Sequence, residues 1–303
     1  MKKRTKIVHF LIRVFGLDRL LASYSDRFNF LQKFVPLPSE YPDGTRFKVL
    51  RDNVVFDLFV CDYMQWFVFA NLPDNGWRYA LDRIRFGARG GVVLDIGSNV
   101  GAFSLKLAKN CLDHGVSDVR IVGFEPNTLV SQRLHNNLSL NAELQCFISI
   151  NNLAVGATCG TVPMVFEAAN TGHGRVSSAG EESQFSVLMT TIDSFIENGN
   201  FQRLDFIKID VEGYEPFVID GGVKSVERFK PDIYIEITPN WFEARGRSAL
   251  KLFEVLRSFG YRLFFEDGNN LVPLESYCGH LPAQYNVLAL FHDHPSFPSG
   301  KRK

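Results

Sequence analysis

The chain has 303 residues, 46% hydrophobic and 13% aromatic, with 33 Lys/Arg balancing 33 Asp/Glu. Length and composition describe a globular protein, either one large α/β domain with an appendage or two smaller domains; they exclude a disordered tail protein, a collagen and a disulfide-built miniature scaffold. The zero net charge hides an asymmetry, because residues 1–40 carry 8 Lys/Arg and 3 Asp/Glu, a surplus of +5, and the mildly acidic remainder argues against a nucleic-acid partner.

The first residues, MKKRTKIVHFLIRVFGLDRLLASYSDRF, open like a signal peptide, yet His9, Arg13 and Asp18 interrupt the apolar stretch and no small-residue cleavage site follows. A spanning helix needs an apolar run of about 18 residues, which this segment does not supply. Its spacing predicts a basic amphipathic helix with Ile7, Phe10, Leu11, Val14, Leu17 and Leu21 on one face. Such a helix packs on the main domain or lies on a membrane surface or partner, and helical period alone does not separate these. Cys61, Cys111, Cys146, Cys159 and Cys278 form no CxxC pair and no metal-like Cys/His spacing, so they read as idle thiols of a reduced, cytoplasmic setting, with peripheral membrane contact left open.

RFKVL (46–50), VVFDLFV (54–60) and the aromatic run YMQWFVFANLPD (63–74) read as a small antiparallel lid or platform, followed by a helix near Trp77–Arg85. From Gly90 the pattern changes. Short apolar strands at 92–97, 119–126, 146–156, 204–213, 231–238, 261–267 and 285–291 alternate with helical stretches near 101–110, 128–140, 191–199, 215–228 and 245–259. This predicts an α/β fold: a doubly wound, mostly parallel seven-stranded sheet with helices on both faces. The expected divisions are a basic helix and loop (1–40), the β-rich unit with its linking helix (41–89), a ligand-binding domain (90–295) and a disordered basic tail (296–303).

The strongest local signal is VLDIGSNVGAFS (93–104), a strand ending in Asp95, a turn through Gly97, Ser98 and Gly101, then a helix whose free N–H groups suit an anion. A dinucleotide turn would place a second glycine where Asn99 stands. Asn99 crowds a pyrophosphate, which disfavours an NAD-dependent oxidoreductase. It tolerates a ligand that presents a carboxylate and an ammonium group, as S-adenosylmethionine does, and Asp95 suits that ammonium. Glu125 ends the next strand, where a carboxylate accepts ribose hydroxyls, and Asn152 falls where an adenine contact is expected. In FIKIDVEGYEP, the charges Lys208, Asp210, Glu212 and Glu215 cluster at the carboxyl end of an apolar strand, the side on which such sheets bind ligands. Asp210 and Glu212 share a face if the strand continues that far. They could furnish a general base or ligate Mg²⁺, while Glu215 reads better as a first-turn acid of the following helix.

DIGSNVGAFS, GFEPN, NNLAVG, TTIDSF and above all DFIKIDVEGYEP followed by RFKPDIYIEI resemble the FkbM family of S-adenosylmethionine-dependent methyltransferases, over roughly residues 50–290. The resemblance implies a class I methyltransferase fold and O-methylation of a hydroxyl on a sugar or another small molecule. It implies cofactor contacts from Asp95, Gly97, Asn99, Gly101, Glu125 and Asn152, with Asp210 beside the transferred methyl. Methyl transfer needs an aligned acceptor oxygen and a place for its proton. Glu212 is the first candidate for base or metal ligand, and His173, in the polar stretch NTGHGRVSS (170–178), the second, against the plain alternative of an exposed loop histidine. Glu236 and Arg175 are candidate substrate contacts. Tyr63, Gln65, Trp66 and Trp77 could stack on a sugar ring, although such a run is more often core. A scaffold that keeps the fold without chemistry is the remaining alternative.

Overall fold

The computed structural model describes residues 9, 11–24, 32, 34–86, 90–167, 170–177, 183, 185–268, 270–277 and 279–291. The expectations for Ile7, Phe10, Cys278 and the tail 296–303 lie outside them.

The ligand-binding domain is organised by one strand. Strand β3 (Gly90–Ile96) is buried along its whole length, so both its faces need cover. Val93 faces one apolar core, Leu94 and Ile96 the other. The labels used below follow chain order: α1 (Leu17–Tyr24), β1 (Arg46–Arg51), β2 (Val54–Phe59), α2 (Tyr63–Phe69), α3 (Gly76–Phe86), α4 (Ala102–Asp113), β4 (Asp118–Phe124), α5 (Thr128–Ser139), β5 (Ile148–Asn151), β6 (Ala154–Val155), β7 (Gly160–Glu167), β8 (Asn170–Val176), β9 (Phe185–Thr190), α6 (Ile192–Asn198), β10 (Phe206–Ile209), α7 (Glu215–Asp220), α8 (Val223–Phe229), β11 (Asp232–Ile237), α9 (Pro239–Glu243), α10 (Ala249–Ser258), β12 (Arg262–Asp267), β13 (Asn270–Pro273) and β14 (Tyr285–Leu290).

The main sheet runs β13-β12-β14-β11-β10-β3-β4-β5. The pairs from β11 to β5 are parallel, whereas β14 is antiparallel to both β11 and β12, and β13 is antiparallel to β12. From β3 the chain builds outward through β4 and β5, then returns to place β10 on the other side of β3. That reversal between β3 and β10 is the switch point at which open α/β sheets hold ligands. Helices α3, α4 and α5 contribute to the core on one face, and α6, α7, α8 and α10 to the core on the other. Doubly wound α/β architecture is therefore present, with eight strands rather than seven; the short β13, ending in Pro273, extends the edge.

Other expectations need correction. The aromatic run 63–69 is a helix, not a strand: Asp62 caps it by accepting the Gln65 N–H, and Gln65, Trp66, Val68 and Phe69 are its buried face. The stretch expected as one helix at 215–228 is two, separated at Gly221 and Gly222, and residues 249–258 form α10 after the separate short α9. The polar stretch at 170–178 is largely strand β8, which pairs antiparallel with β7 in a second sheet of order β6-β9-β7-β8. The hairpin β1–β2 exists as expected and is stitched to the main domain by two asparagines. Asn137 Oδ1 accepts from the Asp57 N–H at 2.8 Å and its amide donates to the Val100 carbonyl. Asn141 both accepts from the Val55 N–H at 2.9 Å and donates to the Val55 carbonyl at 2.8 Å.

Candidate functional site

A cavity of about 380 Å³ opens at the switch point, within the range of small-molecule sites. Its floor is the turn after β3, and Gly97 there has φ +83°. A Cβ on Gly97 would lie 1.8 Å from the Asp210 carbonyl, so this glycine is dictated by the abutting loop after β10 rather than by a ligand. Gly101 has φ +86° and begins α4 without any side-chain cap. The first-turn N–H groups of α4 thus remain open beside Asn99, Val100 and Ala102, which line the cavity, and they carry the positive end of the helix dipole.

Glu125 directly follows β4 and lines the same cavity. Its two carboxylate oxygens accept the N–H groups of Asn99 at 3.0 Å and Asn127 at 2.9 Å. Burial raises its pKa to about 7 despite those bonds. Each oxygen keeps a lone pair for a further donor.

Lys208 is the electrostatic centre of the floor. By parallel register it sits beside Asp95. Its Nζ donates to the Gly97 carbonyl at 2.6 Å and lies 3.5 Å from Asp95 Oδ1 and 3.4 Å from Asp210 Oδ2. Burial works against its charge, but Asp210, Asp95 and Asp74 outweigh that and hold its pKa above the ordinary lysine value. Asp95 is wholly buried, with its other oxygen accepting from Ser104 Oγ at 2.6 Å. It lies outside the cavity lining, so its position supports the turn through Lys208 and Ser104 instead of meeting a ligand ammonium directly.

The opposite wall is acidic. Strand β10 stops at Ile209, so the shared strand face expected for Asp210 and Glu212 does not exist. A tight turn replaces it, with φ +55° at Glu212 and +90° at Gly213, and this turn brings both carboxylates to the cavity. Glu215 starts α7, outside the lining, and its Oε1 accepts the N–H groups of Val211 and Gly213. It is the first-turn acid expected, and it also ties the turn. Glu236 on β11 lines the cavity and accepts from Gln284 Nε2 at 2.6 Å. Its buried Oε2 makes no hydrogen bond among the described residues. Burial, then the carboxylates of Asp210, Glu212 and Glu215, push its pKa well above the usual glutamate value.

Other candidates fall elsewhere. Asn152 is exposed; its amide donates to the Glu125 carbonyl at 2.6 Å, and Leu153 and Ala154 line the cavity in its place. Arg175 lies on β8, where Gly174 and Val176 reach the lining and Arg175 does not. His173 is on β8 too, and its side chain lies outside the described residues. Of the aromatic set, only Tyr63 lines the cavity, stacked on Trp66 with ring centres 6.0 Å apart. Gln65 accepts the Phe59 N–H, Trp66 donates to the Pro36 carbonyl, and Trp77 is buried, so these three serve the core. Among the described residues no group of three or more His, Cys, Asp or Glu side chains could hold a metal ion, which leaves the Mg²⁺ expectation without support.

The family model for the methyltransferase FkbM domain matches residues 95–263, more than half of the chain. The chain belongs to the FkbM methyltransferase family. Among solved structures, the FkbM methyltransferase of Methylobacillus flagellatus KT is 16% identical, with TM-score 0.45, over 74% of this chain and 52% of that one. The chain thus spans about half the length of that relative. The precorrin-6y C5,15-methyltransferase of Geobacter metallireducens GS-15 is also 16% identical, with TM-score 0.37, over 71% of this chain and 87% of the other. An S-adenosylmethionine-dependent O-methyltransferase from Thermotoga maritima is 14% identical, with TM-score 0.36, over 70% and 63%. Among curated proteins no relative matches.

The matched region of this FkbM methyltransferase contains the glycine turn, Glu125 and the acidic wall. A methyltransferase FkbM domain is accordingly what this chain carries, and the oxidoreductase alternative is not favoured. The residues fit the cofactor: an uncapped helix start for its carboxylate and a buried Glu125 with spare lone pairs for hydroxyls. Lys208 and Asp74 are among the cavity residues to which the sequence assigned no role. Lys208 could have been found, since a lysine inside an apolar parallel strand needs buried partners. Asp74 lines the cavity from the loop between α2 and α3, and burial raises its pKa against the pull of Lys106 and Lys208; only the tertiary fold brings it there.

Proposed function

We propose that this protein transfers a methyl group from S-adenosylmethionine to a hydroxyl of a sugar or similar small molecule. The observation that carries the reading is the composition of one cavity: cofactor-type groups at Asn99 and Glu125, and opposite them an acidic and amide wall of Asp210, Glu212, Glu236 and Gln284. Bound S-adenosylmethionine supplies an electrophilic methyl, and the protein's own task is alignment of the acceptor and management of its proton. Ser98, Asn99, the α4 N-terminus and Glu125 would hold the cofactor.

Glu212, buried and fixed in the tight turn, is the residue to take the acceptor proton. Burial and the neighbouring carboxylates raise the pKa of Glu236, which favours a proton on its Oε2 and a hydrogen bond from there to an acceptor oxygen. The Tyr63 ring offers a flat apolar face to a sugar, with Gln284 and Asn286 offering amides nearby in the lining.

The test begins with calorimetric titration of S-adenosylmethionine and S-adenosylhomocysteine, where binding of both is expected. Transfer of labelled methyl to a panel of free and nucleotide-linked hexoses follows, with Glu212→Gln expected to lower kcat by about 10²–10⁴-fold while cofactor affinity stays unchanged. No binding of either ligand would overturn the reading; so would label recovered on nitrogen or carbon alone.

A further inference from the structure

The N-terminal segment divides its large apolar side chains between the body and the outer surface. Helical backbone at 11–14 and α1 are joined through Gly16, which turns the chain at φ +64°. The side chains directed into the body include polar ones. His9 is buried with its Nδ1 2.7 Å from Glu40 Oε2, and Asp18 is buried beside the Tyr41 hydroxyl. Ile12 and Leu21 are the apolar residues that pack inward. Large apolar side chains point outward instead: Leu11, Val14, Leu17 and Leu20 are between 43% and 59% exposed, and Phe15 is 71% exposed. Isolated exposed apolar residues are ordinary, but five within ten positions of one segment form a patch of the kind that marks an interaction face.

We propose that this patch docks the protein on an anionic lipid surface. The charge of the same stretch of sequence selects that occupant. Residues 1–40 hold Lys2, Lys3, Arg4, Lys6, Arg13, Arg19, Arg27 and Lys33 against three acids, and two of those acids are engaged, Glu40 with His9 and Asp18 with Tyr41. Basic side chains flanking an apolar helical face are attracted to acidic headgroups while the apolar groups enter the acyl boundary. A second copy meeting the same patch two-fold would bring like charges together. The acidic remainder of the chain, at −5, turns away from such a surface, so the charge asymmetry also orients the molecule. Among the described residues no helix is long and apolar enough to cross a membrane, and docking of this type needs none. The inference does not depend on the proposed acceptor chemistry.

The full chain is sedimented with sucrose-loaded vesicles of phosphatidylcholine alone and of phosphatidylcholine mixed with phosphatidylserine. Co-sedimentation with the anionic vesicles, weakened by high salt, is expected. The Phe15→Asp/Leu20→Asp variant, altered only at exposed positions, should partition at least about tenfold less. Its thermal midpoint and its titration with S-adenosylmethionine should match the wild type. The proposal is overturned if the wild type stays in the supernatant, if neutral vesicles retain it equally, or if the variant partitions unchanged. A wild-type dimer that the variant dissociates, without vesicle binding by either, would assign the patch to a second copy and overturn it as well.

Discussion

Replacing Lys208 by methionine tests whether the floor of the cavity is held by charge. The Nζ lies 3.5 Å from Asp95 Oδ1 and 3.4 Å from Asp210 Oδ2. At an effective dielectric constant of about 20, each contact is worth roughly 5 kcal/mol before desolvation is counted. The Asp210 side chain is 29% exposed, so solvent screens that pair, whereas Asp95 is fully buried. Removing the lysine strands the Asp95 carboxylate, and a broken buried pair costs about 3–5 kcal/mol. Neutralising both partners in Lys208→Met/Asp95→Asn should recover part of that loss, with a coupling of about 1–3 kcal/mol. Urea unfolding of the wild type, both single variants and the double variant measures it. If the two single effects add to within about 0.5 kcal/mol, the two groups are not coupled and the account of the floor is wrong.

Gly97→Ala should abolish cofactor binding in calorimetry and lower the thermal midpoint, because the new Cβ meets the Asp210 carbonyl at a positive φ. Glu125 links binding and stability to pH in opposite senses. Its folded pKa of about 7 exceeds the ordinary 4.5, so the folded state binds the extra proton and stability falls as pH rises from about 4.5 to about 7, by up to roughly 3 kcal/mol. Glu215, also raised to about 7, adds in the same direction. If Glu125 accepts ribose hydroxyls, S-adenosylmethionine affinity should instead weaken as pH drops below about 7, which titrations at pH 6 and pH 8 would read. Asn141→Ala leaves the N–H and C=O of Val55 without their partner amide and should cost about 2–3 kcal/mol in urea melts. Tyr63→Ala should raise the acceptor KM while the cofactor Kd stays constant, since the Tyr63 ring lines the cavity on the side away from Asn99 and Glu125 in the proposed reading.

The parallel strands were legible because each is a short apolar run bounded by turn residues, and β3 announced the ligand turn through Gly97 and Gly101. The helix at 63–69 was not, because YMQWFVF has the side chains of a strand; only Asp62, one residue earlier, signals the cap that starts it. Strand β8 was equally hidden, since NTGHGRV has two glycines and little apolar content, and it is strand because β7 supplies a partner. For the site, sequence placed Asp210 and Glu212 together but for the wrong reason, as a turn with positive φ does what strand alternation was expected to do. Asp95 stood at the right strand end, yet its carboxylate is committed to Lys208 and Ser104, a pairing across neighbouring elements that local spacing does not encode.

The hairpin and α2 share a buried core with the sheet, yet they lie before residue 95, where the family match begins. Tyr63, Met64, Phe67 and Asp74 therefore shape one side of the cavity from a part of the chain that the shared domain does not specify, while Asn99 and Glu125 shape the other from within it. The cavity is thus built jointly, because Asp210, Glu212 and Glu236 of its acidic wall lie inside the matched domain while Tyr63 and Asp74 lie before it. Exchange of residues 63–74 would consequently reshape one side of the cavity while leaving Asn99, Glu125 and the acidic wall in place.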